Sequence, residues 1–218
     1  VMIMEPAYPA YVDANVIAGN RIIHIPSGKE NGFLPMPDYN IDVDIIYICS
    51  PNNPTGAVFD YEKLQKWVDY AENKDAIILF DAAYEAFIEE QNIPHSIYEV
   101  PRAKSCAIEI CSLSKTAGFT GTRCGYTVIP KDLCKSGMNL NEMWVRNRTT
   151  KTNGVSYIIQ KGAAAIFTEE GQEQILGNIK VYKKNAVCLM KALDKLGFWY
   201  CGGKNAPYIW MKCPNNMG

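Results

Sequence analysis

Residues 44–80 read DIIYICSPNNPTGAVFDYEKLQKWVDYAENKDAIILF and contain two short apolar runs, one on each side of an amphipathic stretch. The runs at 44–49 and 76–80 are almost continuously hydrophobic, as is typical of strands buried on both faces of a parallel sheet. Between them, four apolar residues recur at helical spacing: Leu64, Trp67, Val68 and Ala71. With Asp60 as a suitable N-cap, the segment predicts a strand–helix–strand unit whose helix covers about residues 61–73.

Further apolar runs extend this unit in both directions along the chain. They lie at residues 21–26, 106–111 and 125–129 and are bounded by turn residues. An alternation of strands and helices favours an α/β domain with a doubly wound, mostly parallel sheet flanked by helices. We therefore predict an α/β fold class for this part of the chain.

The pattern becomes helical after about residue 154. Ser156–Phe167 is rich in Ala and Ile, and a second helical stripe then runs for some 22 residues and ends at Gly197. Its apolar positions are Ile175, Ile179, Tyr182, Ala186, Leu189, Leu193 and Leu196. A helix of that length can connect two domains. Tyr208–Lys212 (YIWMK) then predicts the first strand of a second domain, and both chain ends suggest a fragment of a longer protein.

The composition is that of an ordinary globular domain. The 218 residues are 48% hydrophobic and 21% charged, which excludes a disordered, collagen-like or disulfide-rich miniature protein. No run approaches the roughly 18 apolar residues of a membrane span, so we expect a cytoplasmic protein with no membrane partner. Eight scattered cysteines without a C-x-x-C pair are interpreted as small buried residues of a reducing cytosol. With only two histidines, no metal site is predicted.

Charge is distributed unevenly along the chain. Residues 1–100 carry 5 basic and 16 acidic side chains, whereas residues 101–218 carry 17 basic and 7 acidic ones. Two interpretations stay open: the two halves pack against each other, or the basic half faces anions such as a phosphate and carboxylates. No helix-turn-helix pattern or basic patch with interleaved aromatic residues is present, so we expect no nucleic-acid partner.

Four polar strings stand at or just beyond the carboxyl ends of predicted strands, where open α/β sheets bind their ligands. They are Glu5–Tyr11 (EPAYPAY), Ser50–Gly56 (SPNNPTG), Phe80–Phe87 (FDAAYEAF) and Ser112–Tyr126 (SLSKTAGFTGTRCGY). Taken singly, each is better explained as a turn, a helix cap or a loop with a solvated lysine. Only their combination carries a functional prediction.

In combination, the strings resemble the class I and II aminotransferases of fold type I, which depend on pyridoxal 5′-phosphate. The residues that carry the resemblance, in order, are Asn53, Asp81, Tyr84, Ser112, Ser114, Lys115 and Arg123. Within that superfamily, KENGF and GGKNAPYIWMKCP resemble the LL-diaminopimelate aminotransferases. The resemblance implies part of the cofactor-binding large domain over 1–172. It also implies a linking helix and the start of a smaller α+β domain over 173–218, and a homodimer.

The resemblance also implies roles for the residues nearest the reaction. Lys115 is expected to condense with the cofactor aldehyde and to carry the proton, because an amine forms such a bond reversibly. Asp81 is expected to face the pyridine nitrogen, since a buried carboxylate needs a cation. Asn53 and Tyr84 match donors to the ring's phenolic oxygen. For Tyr84, packing in the core stays open as an alternative.

The remaining positions match groups that hold the cofactor and the substrate. Phosphate-binding residues are implied at Ser112, Ser114 and Arg123, and a guanidinium suits a phosphate dianion. Tyr8 matches the aromatic residue that stacks on the ring, although a turn aromatic is an alternative. Tyr8, Asn53 and Asn153 are expected at the substrate, and Asn153 can belong to the partner subunit's site.

The reaction implied by the resemblance converts tetrahydrodipicolinate and glutamate to LL-diaminopimelate and 2-oxoglutarate, in lysine biosynthesis. A phosphate-cradling loop would precede Val1 and a carboxylate-binding arginine would follow Gly218, so we expect the isolated segment to have little activity. Three alternatives stay open. They are another aminotransferase acting on aspartate, aromatic amino acids or alanine, a β-elimination lyase and, more distantly, a transcriptional regulator that senses the cofactor.

Overall fold

The computed structural model describes residues 1–214 and contains one large sheet, two small hairpins and six helices within that range. The strands are β1 (Met2–Glu5), β2 (Ile23–Pro26), β3 (Ile45–Cys49), β4 (Ile77–Asp81), β5 (Ala107–Ser112), β6 (Gly125–Val128), β7 (Cys134–Lys135), β8 (Met138–Asn139), β9 (Tyr200–Gly202) and β10 (Ile209–Met211). The helices are α1 (Ala10–Ile17), α2 (Tyr61–Asn73), α3 (Leu113–Thr116), α4 (Leu140–Lys151), α5 (Tyr157–Ala165) and α6 (Glu169–Leu196).

The large sheet has the strand order β2-β1-β3-β4-β5-β6. All neighbouring strands are parallel except β5 and β6, which are antiparallel. This confirms the predicted α/β class and the five predicted strands, while β1 was not predicted. From β1 the chain first adds β2 on one side and then returns to add β3 on the other. The carboxyl ends of β1 and β3 therefore flank a switch point, where sheets of this kind form ligand-binding crevices.

The main core lies where α2 packs against the central strands. Trp67, Leu64 and Phe80 are fully buried there, as the helical spacing and the apolar runs predicted. The polar atoms that enter this core have partners. Trp67 Nε1 donates to the carbonyl oxygen of Pro35 at 3.2 Å, and the Tyr70 hydroxyl donates to that of Ile41 at 2.6 Å. The sheet edge that carries the polar strings thus rests on a closely packed support.

Helix α2 begins at the predicted cap. Asp60 Oδ1 accepts a hydrogen bond from the Lys63 amide at 2.8 Å, and its other oxygen pairs with the Lys63 ammonium. Burial opposes ionisation of Asp60, but the hydrogen bonds from Lys63 lower its pKa below the ordinary value. An acid with a lowered pKa in the folded state adds stability above its unfolded pKa of about 3.9, and that stability is lost as the pH falls through the folded value.

Asp60→Ala is therefore expected to lower the free energy of unfolding at pH 7 by about 1 kcal/mol, because the α2 amides lose their cap. Chemical denaturation at pH 7 and pH 3 measures the effect. Asp60→Asn is the matched control, since asparagine caps equally well and should stay near the wild-type value at pH 7. A difference between Asp60→Ala and wild type that is as large at pH 3 as at pH 7 contradicts the assignment.

The C-terminal part differs from the prediction in one respect. Tyr208–Lys212 does form a strand, β10, but β10 is the second strand of an antiparallel hairpin whose first strand is β9. Strand β9 was not predicted, because it has only three residues, the last of which is Gly202, and so it shows no apolar run. A Cβ on Gly56 would lie 2.8 Å from the Gly202 Cα, so two glycines allow the hairpin to pack closely on the SPNNPTG loop.

Helix α6 is longer than the predicted stripe. It spans 28 residues and ends at Gly197, which has the left-handed conformation of a C-cap. Ile175, Ile179 and Ala186 of the stripe are buried, while Leu189 and Leu196 are exposed. The proposed boundary between residues 172 and 173 lies within this helix. Residues 215–218 of the proposed second domain lie outside the described range.

The prediction that all cysteines are buried is wrong for four of the eight, of which three are exposed and one, Cys201, is half-buried. Cys49, Cys106, Cys111 and Cys124 are buried, whereas Cys134, Cys188 and Cys213 are exposed. The apolar neighbours of Cys188 suggested burial, but in α6 those neighbours include exposed positions such as Val187 and Leu189. No cysteine of residues 1–214 forms a disulfide bond.

Several ion pairs join the acidic and basic halves of the chain. Arg102 pairs with Glu72 at 2.5 Å and with Asp69, and Lys135 pairs with Asp75 at 2.6 Å. These contacts support the interpretation that the halves complement each other in charge. Within residues 1–214, no helix is long and apolar enough to cross a membrane.

Candidate active site

A cavity of about 350 Å³ lies beyond the carboxyl ends of β3, β4 and β5. Eight of the nine side chains selected from the sequence line it: Tyr8, Asn53, Asp81, Tyr84, Ser112, Ser114, Lys115 and Arg123. They come from four separate loops, which meet because parallel strands end at the same edge of the sheet. The ninth residue, Asn153, follows α4 in an exposed turn and is not part of the cavity wall formed by residues 1–214.

Asp81 is the last residue of β4, where it is aligned with Cys49 of β3. Its Oδ1 accepts a hydrogen bond from the Ala83 amide at 3.0 Å. Its Oδ2 accepts one from the Tyr11 hydroxyl at 2.5 Å. Within residues 1–214, each carboxylate oxygen therefore accepts a hydrogen bond from one protein donor, and the two bonds fix the orientation of the carboxylate.

Two neutral groups flank the Asp81 carboxylate. Burial raises the pKa of the Cys49 thiol to about 12, with a further contribution from Asp81, and the thiol donates to the Pro51 carbonyl oxygen at 3.3 Å. Burial also raises the pKa of Tyr11, and the neighbouring Cys49 and Asp81 add to the shift. At neutral pH, Tyr11 and Cys49 are therefore uncharged donors beside one acid.

Tyr84 lies in the turn after Asp81 and is only 6% exposed. Its hydroxyl shares a hydrogen bond of 2.6 Å with the Tyr208 hydroxyl and accepts one of 3.4 Å from Asn53 Nδ2. The Tyr84 and Tyr208 rings meet edge to face, with their centroids 5.0 Å apart. Burial raises the pKa of Tyr84, and the hydrogen bond to Tyr208 raises it further, so the phenol stays protonated.

Lys115 lies in α3, the short helix that follows β5 directly. Ser112 Oγ caps this helix by accepting from the Ser114 amide at 3.2 Å. Thr120 Oγ1 then donates to the Ser114 carbonyl oxygen at 3.0 Å and holds the following loop against the helix. The Lys115 side chain is exposed at the wall of the cavity.

Arg123 completes the polar wall near α3. It has a φ of 55°, in the left-handed region, and its Nη1 donates to the Thr120 carbonyl oxygen at 2.8 Å. The remaining guanidinium donors make no hydrogen bond within residues 1–214. Two serine hydroxyls, a threonine hydroxyl and a guanidinium thus line this wall, a set well suited to an anion.

Sequence reasoning missed five lining residues: Tyr11, Cys49, Ala83, Thr120 and Tyr208. Thr120 lies within Ser112–Tyr126, the string that contains Lys115, and this proximity in sequence could have identified it. Tyr11 follows Tyr8 by three residues at the start of α1, a spacing that places both on one side of a helical turn. Tyr208 was assigned to a strand, and only the fold brings it to Tyr84, 124 residues earlier in the chain.

A larger cavity, of about 670 Å³, lies beside β6 between α4 and α5. Its wall includes Trp144, Phe167 and Arg148, and no Asp, Glu, Lys or His side chain of residues 1–214 contributes to it. It therefore lacks the acid and the amine that the smaller cavity combines. The smaller cavity is the candidate active site, because chemistry and not volume decides the assignment.

A mostly parallel sheet with an acid, a lysine and an arginine gathered at its carboxyl edge defines the α/β class of fold-type I transferases. Residues 1–217 match the family described as aminotransferase class I and II, and the chain belongs to this family. Members of the family depend in general on pyridoxal 5′-phosphate.

Several proteins named LL-diaminopimelate aminotransferase are similar to this chain. The chain is 51% identical over 233 residues to the LL-diaminopimelate aminotransferase of Lawsonia intracellularis, with all of this chain and 56% of the relative covered. It is 48% identical over 231 residues to the LL-diaminopimelate aminotransferase of Phocaeicola vulgatus. This match covers 99% of this chain and 56% of the relative. The structure of L,L-diaminopimelate aminotransferase from Chlamydomonas reinhardtii superposes with a TM-score of 0.93 at 40% identity, over 99% of this chain and 56% of that one. The chain thus spans about 56% of the length of these relatives.

Proposed function

We propose that the complete gene product is a pyridoxal-phosphate-dependent aminotransferase that acts on LL-diaminopimelate and 2-oxoglutarate. The observation that carries this proposal is a cavity of residues 1–214 that combines an amine, a carboxylate and a wall of donors suited to an anion. The substrate pair is supported by relatives 46–51% identical to this chain that bear the name LL-diaminopimelate aminotransferase. In the biosynthetic direction, the same reaction converts tetrahydrodipicolinate and glutamate to LL-diaminopimelate.

The donor set of the cavity fits pyridoxal 5′-phosphate. When bound, this cofactor supplies an aldehyde that reacts with amines and a ring that withdraws electrons from the substrate Cα. Lys115 is the lysine of the cavity wall formed by residues 1–214 and provides the amine for the aldehyde. With a substrate amine bound to the cofactor, the free Lys115 amine would be the group placed to move a proton between the substrate Cα and the carbon that bore the aldehyde.

Asp81 acts at the other end of the ring in this proposal. Its carboxylate, which accepts from Ala83 and Tyr11, would pair with the ring nitrogen and favour the protonated form of that nitrogen. Tyr84 and Asn53 present a phenol and an amide as donors to the ring's phenolic oxygen. For Tyr84 to donate its one proton to that oxygen, the Tyr208 hydroxyl must be the donor in the hydrogen bond that the two phenols share.

Ser112, Ser114 and Arg123 are proposed to hold the phosphate, with Thr120 beside them. Ser114→Ala removes one neutral donor and leaves the guanidinium in place. We expect about a tenfold weaker affinity for pyridoxal phosphate, as one hydrogen bond to a charged group is lost, and little change in kcat at saturating cofactor.

Fluorescence titration of the apoprotein with cofactor measures the Ser114→Ala effect, and activity at saturating cofactor measures kcat. Ser105→Ala is the matched control, because Ser105 lies on the surface near α2 and bonds to Glu72. An unchanged affinity in Ser114→Ala, or an affinity loss of equal size in Ser105→Ala, contradicts the phosphate-binding role.

The substrate assignment is tested by glutamate formation from 2-oxoglutarate with a panel of amino donors. We expect LL-diaminopimelate to give the highest kcat/KM, above aspartate, alanine and aromatic amino acids. A preference for one of those donors would contradict the substrate pair while leaving the aminotransferase activity in place. Formation of ammonia and a 2-oxo acid without an acceptor would instead indicate a lyase.

We further propose that the complete gene product is a cytoplasmic homodimer in which residues 173–218 begin a smaller domain. Exposed apolar side chains on α1 and α5, such as Ile17 and Ile158, are available for an interface. In this proposal, Asn153 contributes to the substrate site of the partner subunit. Sedimentation equilibrium of the complete gene product checks the dimer, and a monomer at micromolar concentration would contradict it.

A further inference from the structure

The contact between Tyr11 and Asp81 joins two elements that are 70 residues apart. The Tyr11 hydroxyl lies 2.5 Å from Asp81 Oδ2, and the Ala83 amide lies 3.0 Å from Oδ1. One donor on each oxygen fixes the plane of the carboxylate. Ala83 is a near neighbour of Asp81 in sequence, whereas Tyr11 is supplied by a different element, α1.

The phenol of Tyr11 is itself held firmly. Its ring stacks on that of Tyr47 with centroids 4.9 Å apart, and it meets Tyr8 edge to face at 5.9 Å. The backbone is fixed as well, because the Tyr11 amide donates to the Tyr8 carbonyl oxygen and Asn15 Nδ2 donates to the Tyr11 carbonyl oxygen at 2.8 Å. The hydroxyl therefore has one well-defined target, Asp81.

The surroundings determine what the phenol can do. Burial and the nearby Asp81 raise the pKa of Tyr11, so Tyr11 stays protonated and acts as a donor. Cys49, which is aligned with Asp81 in the sheet, is neutral as well and donates to a backbone oxygen. Both neighbours of Asp81 are therefore neutral, and Tyr11 is the side chain of residues 1–214 that donates to its carboxylate.

We propose that Tyr11 is a positioning residue that holds the Asp81 carboxylate in the orientation that meets the ring nitrogen of the cofactor. The inference rests on the proposed function, because it needs a cofactor whose ring nitrogen meets Asp81. Tyr11 touches neither the reacting atoms nor the phosphate-binding wall in this account. Its effect is therefore expected only for ligands that carry the ring nitrogen.

The test compares Tyr11→Phe with wild type in the apo form of the complete gene product. Two ligands are titrated by fluorescence: pyridoxal 5′-phosphate, and 1-deazapyridoxal 5′-phosphate, in which carbon replaces the ring nitrogen. We expect Tyr11→Phe to bind pyridoxal phosphate about tenfold more weakly, because a charge-assisted hydrogen bond is lost. Affinity for the deaza compound should stay within about twofold of wild type.

A merely structural role for Tyr11 gives a different result. Equal weakening for both ligands, or no weakening for either, would overturn the proposal. Tyr47→Phe is the matched control, because it removes a phenol hydroxyl from the stacked ring that makes no hydrogen bond to Asp81 within residues 1–214. It should leave both affinities unchanged. Failure of wild type to bind pyridoxal phosphate would instead count against the proposed function.

Two further variants separate positioning from folding. Tyr11→p-aminophenylalanine keeps the shape of the ring and an N–H donor, so it should recover most of the affinity that Tyr11→Phe loses. In an Asp81→Asn background, Tyr11→Phe should cause little additional loss, since both changes remove one interaction. If the affinity losses of the two single variants added up in the double variant, Tyr11 would not act through Asp81. A Tyr11→p-aminophenylalanine variant that recovers no affinity would contradict the proposal as well.

Discussion

Lys115→Ala is expected to abolish turnover of LL-diaminopimelate by the complete gene product. The substitution removes the amine that reacts with the cofactor aldehyde and that moves the proton at Cα. A positioned acid or base is typically worth about 10²–10⁴-fold in rate, and the loss of the cofactor linkage adds to this. Steady-state glutamate formation measures the effect. Borohydride reduction followed by mass spectrometry measures whether the cofactor is still attached to the chain.

The control for Lys115→Ala is Lys104→Ala. Lys104 is an exposed lysine in a short turn before β5 and does not line the cavity. It should keep wild-type turnover and wild-type attachment of the cofactor. Two results would contradict the proposed role of Lys115. One is substantial activity in Lys115→Ala, and the other is that borohydride still attaches the cofactor to Lys115→Ala at the wild-type level.

Asp81→Asn is expected to have the second largest effect. The amide keeps the size of the side chain but cannot neutralise a protonated ring nitrogen. Removing one partner of a buried charge pair costs about 3–5 kcal/mol, which corresponds to roughly 10²–10⁴-fold in kcat/KM. The measurement is kcat/KM at saturating cofactor, with the affinity for pyridoxal phosphate determined in parallel.

Asp132→Asn is the matched control for the acid, because Asp132 lies in an exposed loop after β6 and outside the candidate site. We expect it to behave as wild type. If Asp81→Asn retained wild-type kcat/KM, the carboxylate would have no part in the chemistry. The orientation of Asp81 by Tyr11 would then have no catalytic meaning.

The central sheet could be predicted because its strands are buried on both faces. Such strands, for example β3 and β4, show almost uninterrupted apolar runs that are readily distinguished from the amphipathic helix α2. Helix α4 was not predicted, and the reason is physical. None of its residues is buried against the described part of the chain, so it shows no apolar stripe.

The candidate site could be predicted where each residue follows its own strand in sequence. Asp81 and Lys115 stand directly at the ends of β4 and β5, and the parallel sheet brings those ends together. Tyr11 and Tyr208 could not be identified in this way. The three-residue spacing from Tyr8 suggests only that Tyr11 lies near the site. The hydrogen bonds of Tyr11 to Asp81 and of Tyr208 to Tyr84 span 70 and 124 positions, and no sequence pattern predicts them.

The arrangement of Lys115 and Asp81 around one pyridine ring is tested most directly by a crystal structure of the complete gene product with pyridoxal 5′-phosphate. The account predicts a covalent bond between Lys115 Nζ and the carbon that bore the aldehyde. It also predicts an Asp81 oxygen within hydrogen-bonding distance of the ring nitrogen at the opposite end of the ring. A ring bound elsewhere, or one that meets Lys115 while its nitrogen faces a group other than Asp81, would contradict it.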